Sequence, residues 1–200
     1  MVLDREEELS SGDMLMIVKN NYFWTEKEKK ESGEGSAGAV PTFLANGDRA
    51  KVLRVSNYIE LYGFRFATLL LQLPDYDDYE MQVTGMLDTL QSEAPALTHE
   101  QQEELFRQVE EDYQHFVPLK ADRMKSIRQD AYFNALQIKY AYAVTCHKAQ
   151  GGQWAHVYVD QGYMTDDMLT PDYIHWLYTA FTRATEKLYL VNWPKTQTEE

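Results

Sequence analysis

A short polar segment, TCHKAQGGQW at residues 145–154, concentrates side chains that could do chemistry. Within six residues it offers a hydroxyl, an imidazole, an ammonium and an amide, on Thr145, His147, Lys148 and Gln150. The alternating apolar residues before it predict a buried strand, and α/β sheets bind ligands beyond the carboxyl ends of their strands. Taken singly, these residues suit a helix cap and a solvated surface, but together at a strand end they predict a ligand site.

A second candidate, Arg183, lies in YTAFTRA at residues 178–184. An arginine near the carboxyl end of a helix interacts favourably with the helix dipole by about 0.3–1 kcal/mol, and that structural role needs no ligand. Arginine also stabilises the charge that develops on a transferred phosphoryl group when a neighbouring domain presents it. Because Arg183 follows Thr182 in a segment otherwise patterned for burial, we favour the second role.

Both segments resemble motifs of a known family. TCHKAQGGQW resembles motif V of RecD-like superfamily 1 helicases, and YTAFTRA resembles their motif VI, in the expected order. Upstream, NNYFW and LANGD are similar to the SH3-like barrel that those helicases insert in their second RecA-like domain. The resemblance covers nearly the whole chain. It implies an ATP-dependent DNA helicase with 5′ to 3′ polarity, whose N-terminal RecA-like domain is not in this sequence.

The resemblance also implies roles for individual residues. Arg183 would be the arginine finger, the catalytic residue that contacts ATP, and Gln150, Gly151 and Gln153 would complete this side of the ATP site. Contacts to DNA would come from Thr145, His147, Lys148, Thr179 and Thr182. Gln153 departs from the pattern, because many relatives have glutamate after the glycines; an amide can still form hydrogen bonds there.

The sequence lacks the other half of an ATPase. No G-x-x-x-x-G-K-[ST] motif occurs, and no apolar strand ends in the Asp-Glu pair that holds magnesium. We therefore expect ATP and Mg²⁺ in the full-length parent, with no cofactor bound tightly to these 200 residues and no ATPase activity from them alone. A single cysteine, Cys146, with no Cys or His cluster around it, predicts no metal site.

Two alternatives stay open. The formal net charge of −13 opposes nucleic-acid binding and favours an acidic protein-interaction module on a helicase scaffold. Residues 1–117 carry 10 basic and 23 acidic side chains, whereas residues 118–150 carry 6 basic and 2 acidic ones. The other alternative is a thiol enzyme using Cys146 and His147, which is disfavoured because adjacent helical residues point in different directions.

The first part of the chain predicts a small antiparallel barrel. Residues 12–24 are predicted as a strand, residues 26–39 as a mobile surface loop, and Asn46-Gly47 as the turn of a hairpin within residues 42–57. A second hairpin pairs residues 66–73 with residues 79–90 through a turn containing Asp75, Asp77 and Asp78.

The second part alternates helix and strand. Thr98 and Gln101 form a capping-box pattern that begins a helix, and a basic helix follows at about residues 120–133. Strands are predicted at residues 136–144, 154–160 and 187–193. Thr145 is predicted to cap a short helix that Gly151 closes. A helix beginning at Thr170-Pro171 should turn four side chains inward: Ile174, Leu177, Tyr178 and Phe181.

These elements predict an α/β fold: a partial P-loop NTPase RecA-like helicase domain, made of a parallel sheet with flanking helices, carrying an inserted SH3-like antiparallel β-barrel. Residues 1–92 would form the barrel, and residues 93–200 the helical connector and the C-terminal part of the second RecA-like domain. The expected partners are single-stranded or duplex DNA and the N-terminal RecA-like domain. Without a long apolar stretch or a signal peptide, we expect a cytoplasmic protein with no membrane partner.

Overall fold

The computed structural model describes residues 8–32, 40–165 and 168–194. Contacts divide the chain into two compact units, residues 1–142 and residues 143–200. The predicted domain boundary after residue 92 stays a prediction. The division into units falls later because the helices and the strand between residues 93 and 142 pack on the N-terminal barrel.

A closed five-stranded barrel forms the centre of the N-terminal unit. Its strands are β1 (Met14–Ile17), β2 (Arg49–Leu61), β3 (Phe64–Leu73), β4 (Tyr79–Met86) and β5 (Leu136–Tyr140). Neighbouring strands are antiparallel except β4 and β5, which run parallel with Gly85 opposite Leu136. Leucines and valines on alternate positions fill the interior, as a small barrel requires. The barrel is consistent with the SH3-like barrel expected from the sequence.

Three helices accompany the barrel: α1 (Phe23–Ser32), α2 (His99–Gln114) and α3 (Lys120–Arg128). Helix α2 begins at the predicted capping box, in which the Thr98 hydroxyl accepts from the Gln101 backbone N–H and the Gln101 side chain accepts from the Thr98 N–H. Leu105 and Val109 on α2 join Ile127 on α3 in a second apolar cluster against Phe66 of β3. Helices α2 and α3 therefore pack against the barrel through this cluster.

Several local predictions for the N-terminal unit were wrong. The strand predicted at residues 12–24 ends at Ile17, and the predicted loop begins as helix α1, which Trp24 anchors in the core. Residues 33–39 of that loop lie outside the described part of the chain. Asn46-Gly47 forms a turn but no hairpin between paired strands. The hairpin turn joining β2 to β3 is Tyr62-Gly63, where both φ angles are positive and glycine adopts such a conformation without strain.

The C-terminal unit is built from β6 (Trp154–Asp160), α4 (Pro171–Phe181) and β7 (Ala184–Val191). The two strands pair in parallel as a two-stranded sheet. Tyr158 and Tyr189 stack face to face across the two strands, with ring centroids 4.5 Å apart. On α4, Ile174 and Tyr178 are exposed although the sequence predicted them to point inward.

The predicted fold class was wrong. The expected partial RecA-like parallel sheet is not found among the described residues, because the strand predicted to begin that sheet, β5, closes the barrel instead. Leu136 and Ile138 alternate inward into the barrel core, and the backbone N–H of buried Ile138 donates to the Thr89 hydroxyl. The apolar alternation was interpreted correctly as a strand and placed in the wrong sheet. No helix in the described ranges has the length and apolar character needed to cross a membrane.

Candidate functional site

The two candidate segments lie at the same edge of the C-terminal sheet. Residues 145–152 lead into β6, and Arg183 immediately precedes β7. Because β6 and β7 are parallel with Trp154 opposite Ala184, both segments meet at the amino ends of the strands. The first segment follows the carboxyl end of a strand, β5, as the sequence predicted, but that strand belongs to the barrel and not to a parallel α/β sheet.

Residues 146–151 form consecutive turns rather than the predicted short helix. The Thr145 hydroxyl accepts from the backbone N–H of Lys148 at 3.4 Å, and the Thr145 carbonyl accepts from the N–H of Ala149 at 3.1 Å. Gly151 ends the turns with a φ of +86°. Thr145 thus begins the turn and Gly151 ends it, as their residue types favour.

Arg183 joins this turn segment to the end of α4. Its Nη1 donates to the carbonyl of Gly152 at 2.9 Å, and its Nε donates to the carbonyl of Thr179 at 2.9 Å. Its Nη2 donates to the Thr182 hydroxyl at 2.9 Å, while its own carbonyl accepts from the N–H of Trp154. The side chain and the backbone of Arg183 therefore both bridge the two segments.

The charge of Arg183 is not matched by an anion in the described structure. The guanidinium is half-buried, all three of these acceptors are neutral, and none of the described carboxylates pairs with it. Hydrogen bonds from a guanidinium to an anion are shorter and about twice as strong as those between neutral groups. The geometry thus holds a cation in place while leaving it able to gain energy from an anionic ligand.

Cys146 lies near the same guanidinium. Burial raises the pKa of the Cys146 thiol, and the positive charge of Arg183 opposes that rise. The thiol donates to the carbonyl of Trp176 at 3.6 Å, so its hydrogen bond goes to α4 rather than to the neighbouring His147. A thiol with a raised pKa and no base bonded to it is a poor nucleophile, which argues against the thiol-enzyme alternative.

A cleft of about 340 Å³ separates the turn segment from α4. Cys146, His147 and Gln150 line one wall, and Asp172, His175, Trp176 and Thr179 line the other. Its lining offers imidazole, amide and hydroxyl groups beside one indole ring. The cleft brings together three of the predicted site residues, His147, Gln150 and Thr179.

Other predicted site residues are exposed around the cleft or engaged in the helix. Thr145, Lys148, Gly151 and Gln153 are exposed on the turn segment and at its end. The hydroxyls of Thr179, on α4, and of Thr182, the residue after α4, donate to helix carbonyls, at His175 and Tyr178 respectively. Each hydroxyl uses its proton in a hydrogen bond to a helix carbonyl, and its oxygen can still accept a hydrogen bond. The roles assigned to these residues stay predictions.

Sequence reasoning did not identify three residues that line the cleft from α4: His175, Trp176 and Asp172. Gly152, interpreted from the sequence as allowing close approach of the backbone to a ligand, supplies the carbonyl that receives Arg183. The helical pattern of residues 171–181 contained the first two, since residues three and four apart share a face with Thr179. No group of His, Cys, Asp and Glu side chains in the described ranges is arranged to hold a metal ion.

Residues 140–191 match the family model described as UvrD-like helicase C-terminal domain. The match covers about a quarter of the chain and contains every candidate site residue. Over this segment the chain is similar to the C-terminal domain of UvrD-like helicases. A comparison with curated proteins found no match.

Among solved structures, the chain is similar to the Pif1 helicase from Candida albicans. The identity is 14%, the TM-score is 0.39, and the similarity covers 94% of this chain and 33% of that one. A likeness this weak carries no argument about fold or activity. The chain spans about a third of the length of that solved helicase.

Proposed function

We propose that this chain is the C-terminal part of an ATP-dependent DNA helicase of the RecD-like type. It would supply an arginine finger and single-strand contacts to a motor that an N-terminal RecA-like domain completes. The family match over residues 140–191 supports the helicase assignment. The RecD-like type and 5′ to 3′ polarity rest on the resemblance of TCHKAQGGQW and YTAFTRA alone.

The observation that carries the proposal is the position of Arg183. Its guanidinium bonds to the carbonyls of Gly152 and Thr179 and pairs with no carboxylate among the described residues. An arginine finger needs a side chain that is held in position, a charge that no carboxylate neutralises, and N–H donors that can change their acceptor. Since a phosphate oxygen is a stronger acceptor than a peptide carbonyl, the guanidinium can exchange a neutral acceptor for an anionic one when ATP is bound.

The same geometry suggests how DNA and ATP would be coupled. Thr145, His147 and Lys148 would contact the strand, and their segment ends at Gly152, the residue bonded to Arg183. If bound DNA shifted the turn segment, the Gly152 carbonyl that accepts a hydrogen bond from Arg183 would move with it. Thr179 on α4 and Thr182 just after it would add contacts to the DNA strand, and His147 and Thr179 line one cleft.

Gln150, Gly151 and Gln153 are the other residues of this chain assigned to the ATP side. The amides of Gln150 and Gln153 are exposed and can donate to ribose or phosphate oxygens. ATP bound with Mg²⁺ would supply the phosphoryl group whose transfer to water drives the motor. The phosphate cradle and the metal ligands would belong to the N-terminal domain, so the 200 residues alone should not hydrolyse ATP.

The test is Arg183→Ala in the full-length parent protein. Loss of the finger should lower kcat for DNA-stimulated ATP hydrolysis on the order of 10³-fold, because the charge on the transferred phosphoryl group loses its cation. The Kd for ATP should change little, since the phosphate cradle is elsewhere. Lys187→Ala, which removes an exposed cation from β7, is the matched control and should leave both quantities unchanged.

Arg183→Ala also removes three hydrogen bonds, so a folding defect must be separated from a catalytic one. Equal circular dichroism spectra and thermal unfolding midpoints for the variant and the parent make that separation. Normal ATP turnover in a correctly folded Arg183→Ala protein would overturn the finger assignment.

A second candidate function is an acidic protein-interaction module that keeps helicase motifs as scaffold. The net charge of −13 favours it, because 23 of the 32 acidic residues precede residue 118. The two functions differ in their dependence on the turn segment. Replacing Thr145 and His147 together by alanine in the parent should abolish translocation on single-stranded DNA if the motor proposal holds. Unchanged translocation would favour the interaction module.

A further inference from the structure

One cleft in the N-terminal unit is basic although the unit as a whole is acidic. It has a volume of about 230 Å³ and lies between α1 and the carboxyl end of α3. Lys27 and Lys30 line it from α1, and Arg128 and Gln129 line it from α3 and the residue after it. Among the described residues, Glu26 is the single acidic residue in the lining, and these lining residues together carry a net positive charge.

The cations of the cleft are far apart along the sequence, and the fold brings them together. Lys27 and Lys30 share one face of α1 because residues three apart are neighbours on a helix. Arg128 is about a hundred residues away in sequence and ends α3. The sequence predicted residues 26–39 as a loop with nothing able to pack, and a loop would have fixed no such arrangement.

The two walls of the cleft are linked by two hydrogen bonds through Asn134. The indole N–H of Trp24, on α1, donates to the carbonyl of Asn134 at 2.9 Å. The side-chain amide of Asn134 donates in turn to the carbonyl of Arg128 at 3.1 Å. Trp24 is only 4% exposed, so the first of these bonds starts from a side chain of the core, and the second lies at the surface. The cations therefore sit on a fixed frame.

The cationic side chains of the cleft form at most weak interactions with other protein groups. Lys27 lies 5.0 Å from the centre of the Trp24 ring and 4.0 Å from Glu31, in an exposed pair that contributes about 0–1 kcal/mol at most. Among the described residues, neither Lys30 nor Arg128 pairs with a carboxylate. The carboxyl end of α3 adds about half a negative charge, which three cations outweigh. Within the described part of the chain, an anion that enters the cleft would therefore have only the weak Lys27–Glu31 ion pair to displace.

We propose that this cleft binds the phosphodiester backbone of a nucleic acid, as a contact separate from the cleft beside Arg183. The two lysines and the arginine fit phosphate oxygens, and the Gln129 amide can donate alongside them. The acidity of the chain does not forbid this, because at physiological salt charges more than about 8 Å away are screened. The choice of ligand rests on the proposed helicase function, while the cations and their frame do not.

The test uses the 200-residue chain and a fluorescein-labelled oligonucleotide, single-stranded and as a duplex. Fluorescence anisotropy gives the Kd over a series of salt concentrations. Lys30→Gln with Arg128→Gln should weaken binding on the order of tenfold at about 0.1 M salt and flatten the slope of log K against log salt by about one to two. Lys51→Gln with Arg54→Gln removes two exposed cations from β2 and should leave both quantities unchanged.

Charge-preserving variants protect the result from a folding artefact. Lys30→Arg with Arg128→Lys should bind like the unmodified chain, and circular dichroism should show the same fold for all variants. Equal effects of the cleft and β2 variants, or no binding of either oligonucleotide by the unmodified chain, would overturn the inference. Displacement of the oligonucleotide from the unmodified chain by excess inorganic phosphate, but not from the cleft variant, would support it.

The outcome is independent of the finger test. Normal ATP turnover in Arg183→Ala together with lost binding in the cleft variant would overturn the motor proposal and support the nucleic-acid contact in the cleft. Lost ATP turnover in Arg183→Ala together with normal binding in the cleft variant would support the motor proposal and overturn the contact in the cleft.

Discussion

At the scale of single residues, Arg183 and Cys146 show how one charge sets the chemistry around it. Arg183 bonds to neutral carbonyls on two segments, and its field reaches the half-buried thiol of Cys146. Burial disfavours the thiolate and the guanidinium favours it, and burial is the larger effect. The result is a thiol that stays protonated at neutral pH.

This balance predicts the alkylation rate of Cys146. Iodoacetamide reacts with the thiolate, so at neutral pH Cys146 should react more slowly than free cysteine, and its rate should rise with pH. Arg183→Ala should slow the reaction further, because removal of the cation raises the thiol pKa. Arg183→Lys keeps the charge and is the control. Mass spectrometry measures the rate at the single cysteine of the chain, and faster alkylation in Arg183→Ala would contradict the arrangement.

At the scale of elements, the capping box of α2 shows a local signal that the structure confirms. Thr98 and Gln101 satisfy each other's backbone N–H groups at the start of the helix. The helix in turn presents Leu105 and Val109 to the second apolar cluster. Helix stability and packing on the barrel are therefore connected.

Thr98→Ala should lower the free energy of unfolding by about 1 kcal/mol, because a backbone donor at the helix start loses its acceptor. Thr98→Ser keeps the hydroxyl and should stay close to the unmodified chain. Urea unfolding followed by circular dichroism at 222 nm, the usual helix band, measures both. A full loss in Thr98→Ser as well would show that the methyl group, and not the cap, stabilises the helix.

Elements whose signals are local could be predicted from the sequence. The strand at residues 154–160, the helix beginning after Thr170 and the hairpin around Asp77 were all correct. The partner of a strand is not a local property, and so β5 was assigned to the wrong sheet: Leu136 and Ile138 alternate equally well in a barrel or in an α/β sheet. Helix α1 was missed because its charged sequence hides the buried Trp24 that anchors it.

The candidate site also contains residues that the sequence could predict and residues that depend on tertiary packing. The turn segment and Arg183 were found from residue types and a family resemblance, and both lie at one sheet edge. His175 and Trp176 were not found, because they reach the cleft only through the packing of α4 against the turn segment.

At the scale of the whole molecule, the two units differ in how much apolar surface each buries. Nearly all buried apolar side chains belong to the N-terminal unit, and within the described C-terminal residues only Val159 and Ala180 are buried. Tyr158 and Tyr178 are 69% and 71% exposed. A two-stranded sheet with one helix buries too little to offset the entropy of folding.

Residues 1–142 produced alone should therefore unfold cooperatively in urea, whereas residues 143–200 produced alone should show no cooperative transition. The second piece should also bind a hydrophobic dye such as ANS, because its aromatic side chains stay accessible. Circular dichroism and dye fluorescence during a urea titration check both statements. A sharp transition in the isolated second piece would contradict this account of its stability.

The parallel pairing of β4 with β5 has a consequence for the order of events during synthesis. A parallel neighbour cannot be reached by a tight turn, and here the chain makes α2 and α3 before it returns with Leu136. At cellular translation rates, a segment of about fifty residues takes seconds to emerge from the ribosome. Throughout that interval β1 and β4 lack their partner β5, so each exposes one unpaired backbone edge, and the nascent chain passes through an open sheet that chaperones can recognise.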